Sequence, residues 1–267
     1  DPQTGVSLVE RRAAAAKVSG RDSSFGLSAL GSGSDYTPFI QHTGIPSLNL
    51  GFGGESSGGE YHTIFDSYTH YTRFKDPGFE YGVTLAKTAG HITLRMANAD
   101  ILTFEVIETT NSMRKQAEKQ QQLVAEKAYV LAADPKDNLK APTAESDVPY
   151  LDFSPLQNAL ASVKASVQGF SKTDFTSLSA SKQEMVNAKL KDLEKALLSD
   201  SGLPRRPWFK HQIYAPGFYT GYGVRTLPGV REAIEQKNFE EAQEQIEKLA
   251  KTFITFKSKL DELVKMG

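Results

Sequence analysis

Residues 238–263, NFEEAQEQIEKLAKTFITFKSKLDEL, decide the fold of the longer part of this chain. Their apolar side chains recur at alternating spacings of four and three residues, at Ala242, Ile246, Leu249, Phe253, Phe256, Leu260 and Leu263. This spacing predicts an amphipathic helix with one continuous buried face. Asn238, with Glu241 three residues later, is typical of a helix start.

Three further segments upstream carry helical patterns, at residues 113–131, 154–170 and 181–197. Ser154-Pro155-Leu156-Gln157 indicates a start with a cap, a proline at the first helical position and a capping-box Gln. Ser181, with Glu184 three residues on, suggests another cap. Because four such helices can bury their stripes against one another, residues 102–267 are predicted to form an all-α, four-helix-bundle-like domain.

Residues 1–101 have a different composition, rich in Gly and short apolar runs. We predict a helix over Ser7–Val18, a buried strand over Gly44–Leu50 and a loop over Gly51–Gly59. Asp76-Pro77 is expected to open a long helix. The apolar face of that helix is Phe79, Val83, Ala86, Gly90, Leu94 and Ala97. The predicted fold class is therefore an α/β fragment of a mixed sheet with flanking helices, followed by the all-α domain.

The bulk composition excludes several classes of function. A net charge of −1 offers no general attraction for nucleic acid or anionic membranes. The chain has no Cys, which excludes disulfides and thiolate metal sites. No apolar run reaches the roughly 18–20 residues of a membrane span.

Two stretches stand out as candidates for chemistry. Gly59–Tyr68 contains His62, but one His cannot hold a catalytic zinc, which needs about three protein ligands. No His-Glu-x-x-His motif accompanies it. Gly202–Tyr222 is long, aromatic and rich in turn residues, and it contains the only Trp. Such a segment is rarely a mere connector, so either it packs its rings on the helices or it reaches a site on the first domain.

A family resemblance runs through most of the chain. In sequence order, the residues that carry it are Leu30-Gly31-Ser32-Gly33-Ser34-Asp35, Gly44-Ile45, Tyr61-His62, Asp76-Pro77, Ala97-Asn98, the run 202–216 and Leu227-Pro228-Gly229. Together they resemble the C-terminal part of glutamate carboxypeptidase II and its transferrin-receptor relatives. The resemblance implies that residues 1–101 are the tail of a zinc peptidase domain. Residues 102–267 would be the helical dimerisation domain.

The resemblance also implies site residues. His62 would be a ligand of one of two zinc ions in the intact parent, and Tyr61 would donate a hydrogen bond to the developing oxyanion. The other ligands and the general base would lie outside this chain, so the chain alone would not hold zinc. Asp66 would either orient the imidazole or face solvent.

Ser32, Gly33, Ser34 and Tyr222 resemble substrate-contacting residues of the family. The alternative for Ser32–Ser34 is a tight turn in which glycine permits the backbone path. Ser34 stands where the family pattern has Asn, and Gly221 where it has Lys. The loss of a cation beside Tyr222 speaks against strict preference for acidic substrates.

The expected function is that of a C-terminal fragment of a glutamate carboxypeptidase-like zinc peptidase, inactive alone and homodimeric through its helical domain. The intact parent would be a di-zinc exopeptidase acting on peptides, with no nucleic-acid partner. The resemblance suggests the extracellular or vacuolar side of a membrane-anchored parent. One alternative is a non-catalytic, transferrin-receptor-like or sorting-receptor fragment. Another is an autonomous helical interaction protein.

Overall fold

A computed structural model describes seven stretches of the chain: residues 1–18, 29–53, 59–102, 106–127, 129–130, 143–144 and 149–267. They belong to two compact units. Unit 1 comprises Asp1–Ser28 with Leu48–Ala99, and unit 2 comprises Ala29–Ser47 with Asp100–Gly267. Residues 29–47, predicted in the first domain, thus pack within the helical unit. The predicted domain boundary between residues 101 and 102 stays a prediction.

The described residues are mainly helical. The elements in chain order are α1 (Leu8–Val18), α2 (Tyr36–Pro38) with a π-helical turn (Phe39–Thr43), α3 (Tyr68–His70) with a π-helical turn (Tyr71–Lys75), α4 (Glu80–Ala97), α5 (Val106–Lys127), β1 (Tyr129–Val130), β2 (Thr143–Ala144), α6 (Ser154–Phe170), α7 (Ala180–Lys191), a 3₁₀ turn (Glu194–Leu197), β3 (Tyr214–Pro216), β4 (Val224–Thr226), α8 (Pro228–Glu235) and α9 (Phe239–Val264). None of the described helices is long and apolar enough to cross a membrane.

In unit 1, α1 confirms the predicted helix, but α4 begins later than predicted. It starts at Glu80 rather than at Pro77. The reason is the buried side chain of Asp76, which accepts hydrogen bonds from the Tyr71 hydroxyl (3.1 Å) and from the amides of Tyr81 (3.3 Å) and Gly82 (2.9 Å). These bonds satisfy amides of the first helical turn, which have no partner within the helix.

The predicted buried face of α4 is exposed, so that prediction was wrong. The helix has no buried residue, and all six positions of its stripe are exposed. Leu94 is 61% exposed and Val83 is 48% exposed. An apolar stripe therefore identifies the helix correctly without ensuring that anything packs on it.

The strand predicted over residues 44–50 does not form. The segment is irregular, and Ile45, Leu48 and Leu50 are exposed. A strand exists only through hydrogen bonds to a neighbouring strand. In the described part of the chain no strand lies beside this segment, and the two sheets there are the hairpins β1–β2 and β3–β4. The expected fragment of a mixed sheet is therefore not found among these residues.

The core of unit 2 is built around α9. It packs against α6 and α8, while α5 packs against α6 and α8. Every member of the stripe from Ala242 to Leu263 is buried, as predicted, and Phe253, Ile246 and Leu260 are fully buried. The start of α9 is also confirmed, because Asn238 Oδ1 accepts from the amide of Glu241 (3.3 Å).

Other helix details differ from the prediction. Phe153, not Ser154, precedes α6, and the hydroxyl and amide of Ser154 both bond to Asp152 Oδ1. The helix predicted over 181–197 ends at Lys191 and resumes as the 3₁₀ turn. Val186 and Leu190 of α7 join Phe175 and Leu263 in a second, smaller core. The four-helix bundle is therefore not confirmed.

The remaining elements surround the core. Helix α5 begins seven residues before the predicted start at Met113, and the predicted end at Leu131 lies outside the described residues. Between α5 and α6, the described residues include Thr143–Ala144, which pairs with Tyr129–Val130. Strand β3 lies within the aromatic run 202–222, and β4 and α8 follow that run. None of these three elements was predicted from the sequence.

Candidate functional site

His62 and Tyr61 lie in an exposed turn of unit 1. Their rings stack at a centroid distance of 3.8 Å, and Tyr61 is 64% exposed. His62 has φ 60, in the left-handed region that is uncommon for residues other than glycine. Such strained backbone is often found at functional positions, so the turn remains a candidate site.

The turn is held by local hydrogen bonds. The Thr63 hydroxyl donates to Glu60 O (2.6 Å) and accepts from the amide of Phe65 (3.1 Å). Glu60 pairs with Lys75, which holds the pKa of that carboxyl below its ordinary value. Within the described part of the chain, no hydrogen bond joins His62 to Asp66, the residue considered for orienting the imidazole.

The donor set does not fit a zinc site. Among the residues that the structure describes, no group of three or more His, Cys, Asp or Glu side chains could hold a metal ion. His62 therefore contributes at most one of the ligands that a catalytic zinc needs.

The substrate-binding candidates of unit 2 come together. The amide of Ser32 donates to Tyr222 O (3.2 Å), and the Ser32 hydroxyl donates to Gly221 O (3.4 Å). A Cβ on Gly31 would lie 2.3 Å from Tyr222 O, and one on Gly33 would lie 2.3 Å from the Tyr222 ring. Gly33 also has φ +76. Both glycines are thus required for the close approach of the turn to Tyr222.

Gln41 fastens residues 29–47 to the aromatic run. Its side chain is fully buried and its Nε2 donates to Gly31 O. Its backbone carbonyl accepts from the amides of Lys210 (2.8 Å) and His211 (3.1 Å). Gln41, ten residues after Gly31, therefore holds the turn that contacts Tyr222 in place.

Arg206 and Glu232 fix the hairpin that carries Tyr222. Arg206 donates to Glu232 Oε2 and to Pro216 O, both at 2.6 Å. Glu232 Oε1 accepts from the amide of Phe218 (2.8 Å). The side chains of both charged residues are largely buried. Burial lowers the pKa of Arg206 and raises the pKa of Glu232, and their mutual attraction opposes both shifts.

The aromatic run 202–222 packs within unit 2. Trp208 stacks on His42 at 4.9 Å, and His42 Nδ1 lies 2.7 Å from Trp208 O. His211, to which the sequence analysis assigned no role, is fully buried; its Nε2 lies 2.9 Å from Glu194 Oε1. Its Nδ1 accepts from the amide of Ile213 at 3.1 Å. Nothing in the local sequence indicates this pair, because its members are 17 positions apart.

Comparison with known proteins shows what the chain is similar to. Residues 151–261 match the family described as the transferrin receptor-like dimerisation domain. The chain is 32% identical over 229 residues to the "Probable glutamate carboxypeptidase" of Arthroderma benhamiae, covering 83% of this chain and 29% of that protein. The chain is similar to glutamate carboxypeptidases over most of its length and carries a transferrin receptor-like dimerisation domain.

Two further relatives belong to a plant and an animal. The "Probable glutamate carboxypeptidase LAMP1" of Arabidopsis thaliana is 32% identical over 77% of this chain and 27% of its own length. The "Aminopeptidase NAALADL1" of Rattus norvegicus is 28% identical over 78% of this chain and 26% of its own length. The chain thus spans less than a third of the length of these relatives.

Proposed function

We propose that this chain acts as the C-terminal part of a di-zinc exopeptidase of the glutamate carboxypeptidase class. In this proposal unit 2 supplies homodimerisation and a peptide-binding turn, and unit 1 supplies His62 as one zinc ligand with Tyr61 beside it. Alone, the chain is inactive, because the described residues offer a single ligand where about three are needed. Carboxypeptidase and aminopeptidase names among the relatives support the reaction class.

The observation that carries the proposal is the contact of the Gly31–Ser34 turn with Tyr222. Ser32 and Gly221 are 189 positions apart, yet the Ser32 hydroxyl donates a hydrogen bond to Gly221 O. The amide of Ser32 donates a second hydrogen bond to Tyr222 O. Tyr222 remains 60% exposed, so its hydroxyl is accessible to a ligand. A turn with a phenol and exposed hydroxyls suits a neutral peptide better than an acidic one.

Metal analysis with a peptidase assay tests the catalytic part. The expected result for this chain is no stoichiometric zinc and no hydrolysis of dipeptides or tripeptides. A longer protein that includes the missing ligands is expected to bind about two zinc ions and to lose activity with His62→Ala. The matched control is His91→Ala, on the exposed surface of α4. Stoichiometric zinc with activity in this chain alone would contradict the fragment proposal.

Light scattering during size-exclusion chromatography tests the dimerisation part. We expect twice the mass of one chain, with two-fold symmetry through unit 2. Leu94→Glu places a charge on the exposed face of α4 and tests whether the dimer forms through that face instead of through unit 2. A dimer that persists in Leu94→Glu supports association through unit 2. A monomer in either protein would contradict it.

The alternative is a receptor-like protein that keeps the dimerisation domain without catalysis. The match of residues 151–261 alone is equally consistent with it, since that family is named after the transferrin receptor. In that case the longer protein would still dimerise, but it would bind no zinc. Both candidates therefore dimerise, and zinc binding with peptidase activity of the longer protein separates them.

A further inference from the structure

A cavity of about 160 Å³, partly open to solvent, lies between the β3–β4 hairpin and α8. Its wall includes Phe218, Tyr219 and Arg225 of the hairpin and Glu232 and Glu235 of α8. This volume is well below the roughly 300–1,000 Å³ of sites for drug-sized ligands. The cavity therefore suits a ligand about the size of one amino acid.

Arg225 provides an unused cation in the cavity wall. It lies in β4 opposite Ala215, so the hairpin pairing fixes its backbone. Within the described stretches, its guanidinium makes no ion pair and no hydrogen bond. A half-buried guanidinium with free donors is suited to a carboxylate, which it can bind through two parallel hydrogen bonds.

The two acids of the cavity differ in what they have left to offer. Both oxygens of Glu232 are engaged, one by Arg206 and the other by the amide of Phe218. Glu235 is engaged through Oε1 by Arg231 Nε (2.8 Å), and its side chain is 30% exposed. Glu235 therefore has a second oxygen that can bind a cation, whereas both oxygens of Glu232 are already used in hydrogen bonds.

An aromatic pair completes the cavity. The rings of Phe218 and Tyr219 meet edge to face, with centroids 4.8 Å apart. Phe218 is kept in position by the hydrogen bond from its backbone amide to Glu232 and by the guanidinium of Arg206, which lies 5.3 Å from the ring centroid. The pair offers an aromatic surface to a small side chain.

We propose that this cavity binds a free α-amino acid with an apolar side chain. The ligand carboxylate pairs with Arg225, the ammonium group with Glu235, and the side chain packs on Phe218 and Tyr219. This site is separate from the turn at Ser32–Ser34, and its occupancy does not depend on zinc or on peptidase activity.

Titration of the ¹⁵N-labelled chain with L-phenylalanine, followed by NMR, tests the site. We expect saturable shifts of the amides of residues 218–225 and 232–236. Arg225→Gln is expected to weaken binding at least about tenfold, because a charge-assisted bidentate contact is lost. Arg225→Lys, which keeps the charge, is expected to lose less. Arg95→Gln, an exposed charge-matched control in unit 1, is expected to bind like the unaltered chain.

Two analogues test the two ends of the ligand. Phenethylamine lacks the carboxylate and N-acetyl-phenylalanine lacks the ammonium group, so both are expected to bind at least about tenfold more weakly. Equal binding of either analogue would overturn the proposal, as would an unchanged affinity in Arg225→Gln. The absence of saturable shifts at up to about 20 mM amino acid would also overturn it, since Kd values beyond that correspond to a binding free energy weaker than about −2.3 kcal/mol.

Discussion

Helices α4 and α9 carry the same kind of apolar stripe but differ in whether that stripe is buried. The stripe of α9 is buried against α6 and α8, whereas the whole stripe of α4 is exposed. Periodicity thus predicts both helices equally well, because it reports only which side chains share a face. Whether that face is covered depends on chain elements distant in sequence. Unit 1 provides none among its described residues that buries α4.

The largest expected effect comes from removing a side chain of the covered stripe. Phe253→Ala deletes a fully buried ring and is expected to destabilise unit 2 by about 3–5 kcal/mol. Leu94→Ala, on the exposed stripe, is expected to change stability by no more than about 0.5 kcal/mol. Fluorescence of Trp208, the only Trp, follows urea unfolding of unit 2, and hydrogen exchange of residues 80–97 follows α4. A large cost for Leu94→Ala would show that α4 is covered in solution, for instance by self-association.

Two neighbouring arginines repeat the contrast within unit 2. Arg206→Gln leaves Glu232 buried without its partner and is expected to cost about 3 kcal/mol, the lower end of the range for a broken buried pair, since Arg206 keeps 12% exposure. Arg205→Gln removes an ion pair with Glu241 in which the arginine side chain is 45% exposed, and it is expected to cost about 0.2–1 kcal/mol. Urea unfolding monitored by Trp208 measures both. Equal costs would mean that the Arg206 pair is solvated in solution.

These contrasts indicate what the sequence could predict. Local patterns were sufficient for α9, α6 and α1, and for the Asn238 cap, because each depends on residues within a few turns. The pairs Arg206–Glu232 and His211–Glu194 were not predictable, since the partners are 26 and 17 positions apart and charge alone does not identify a partner. The prediction of a strand over 44–50 was wrong for the same reason, because a strand needs a pairing partner that the local sequence does not reveal.

The candidate site shows the same division. The family resemblance brought Ser32, Gly33 and Tyr222 to attention, and the structure places them in contact. The residues that hold them there, such as Gln41 and Arg206, have no local signature and were missed. The roles of His62 and Tyr61 stay predictions, because the described residues do not assemble a metal site around them.

The two helices also begin differently, and pH distinguishes them. The pKa of Asp76, before α4, lies below its ordinary 3.8; burial acts to raise it, but hydrogen bonds from Gly82, Tyr81 and Tyr71 outweigh burial. A lowered carboxyl pKa means that this stabilisation is present above 3.8 and is lost as pH falls through the lowered value. The cap of α9, Asn238, does not titrate.

NMR signals of the Tyr81 and Gly82 amides are therefore expected to change below about pH 3.8. Asp76→Asn should remove this pH dependence and fray the start of α4 at neutral pH. Asp200→Asn, an exposed carboxyl of unit 2, is the matched control and should leave both amides unchanged. Persistence of the transition in Asp76→Asn would assign it to another group.

The smallest expected effect is a gain in α4. Gly90 lies inside the helix on the exposed stripe, and a Cβ there would meet nothing within 4 Å. Gly90→Ala should therefore stabilise α4 by about 0.5–1 kcal/mol, since alanine loses less backbone freedom on folding and creates no clash. Hydrogen exchange of residues 80–97 should slow about two- to fivefold, by the same free energy. Gly169→Ala in α6, whose added methyl would meet only Val264 at 3.7 Å, should leave exchange in α4 unchanged. If Gly90→Ala instead speeds exchange there, the added methyl must meet a surface that covers α4 in solution. In that case both helices would have a covered apolar stripe, and α4 and α9 would differ only in the surface that covers it.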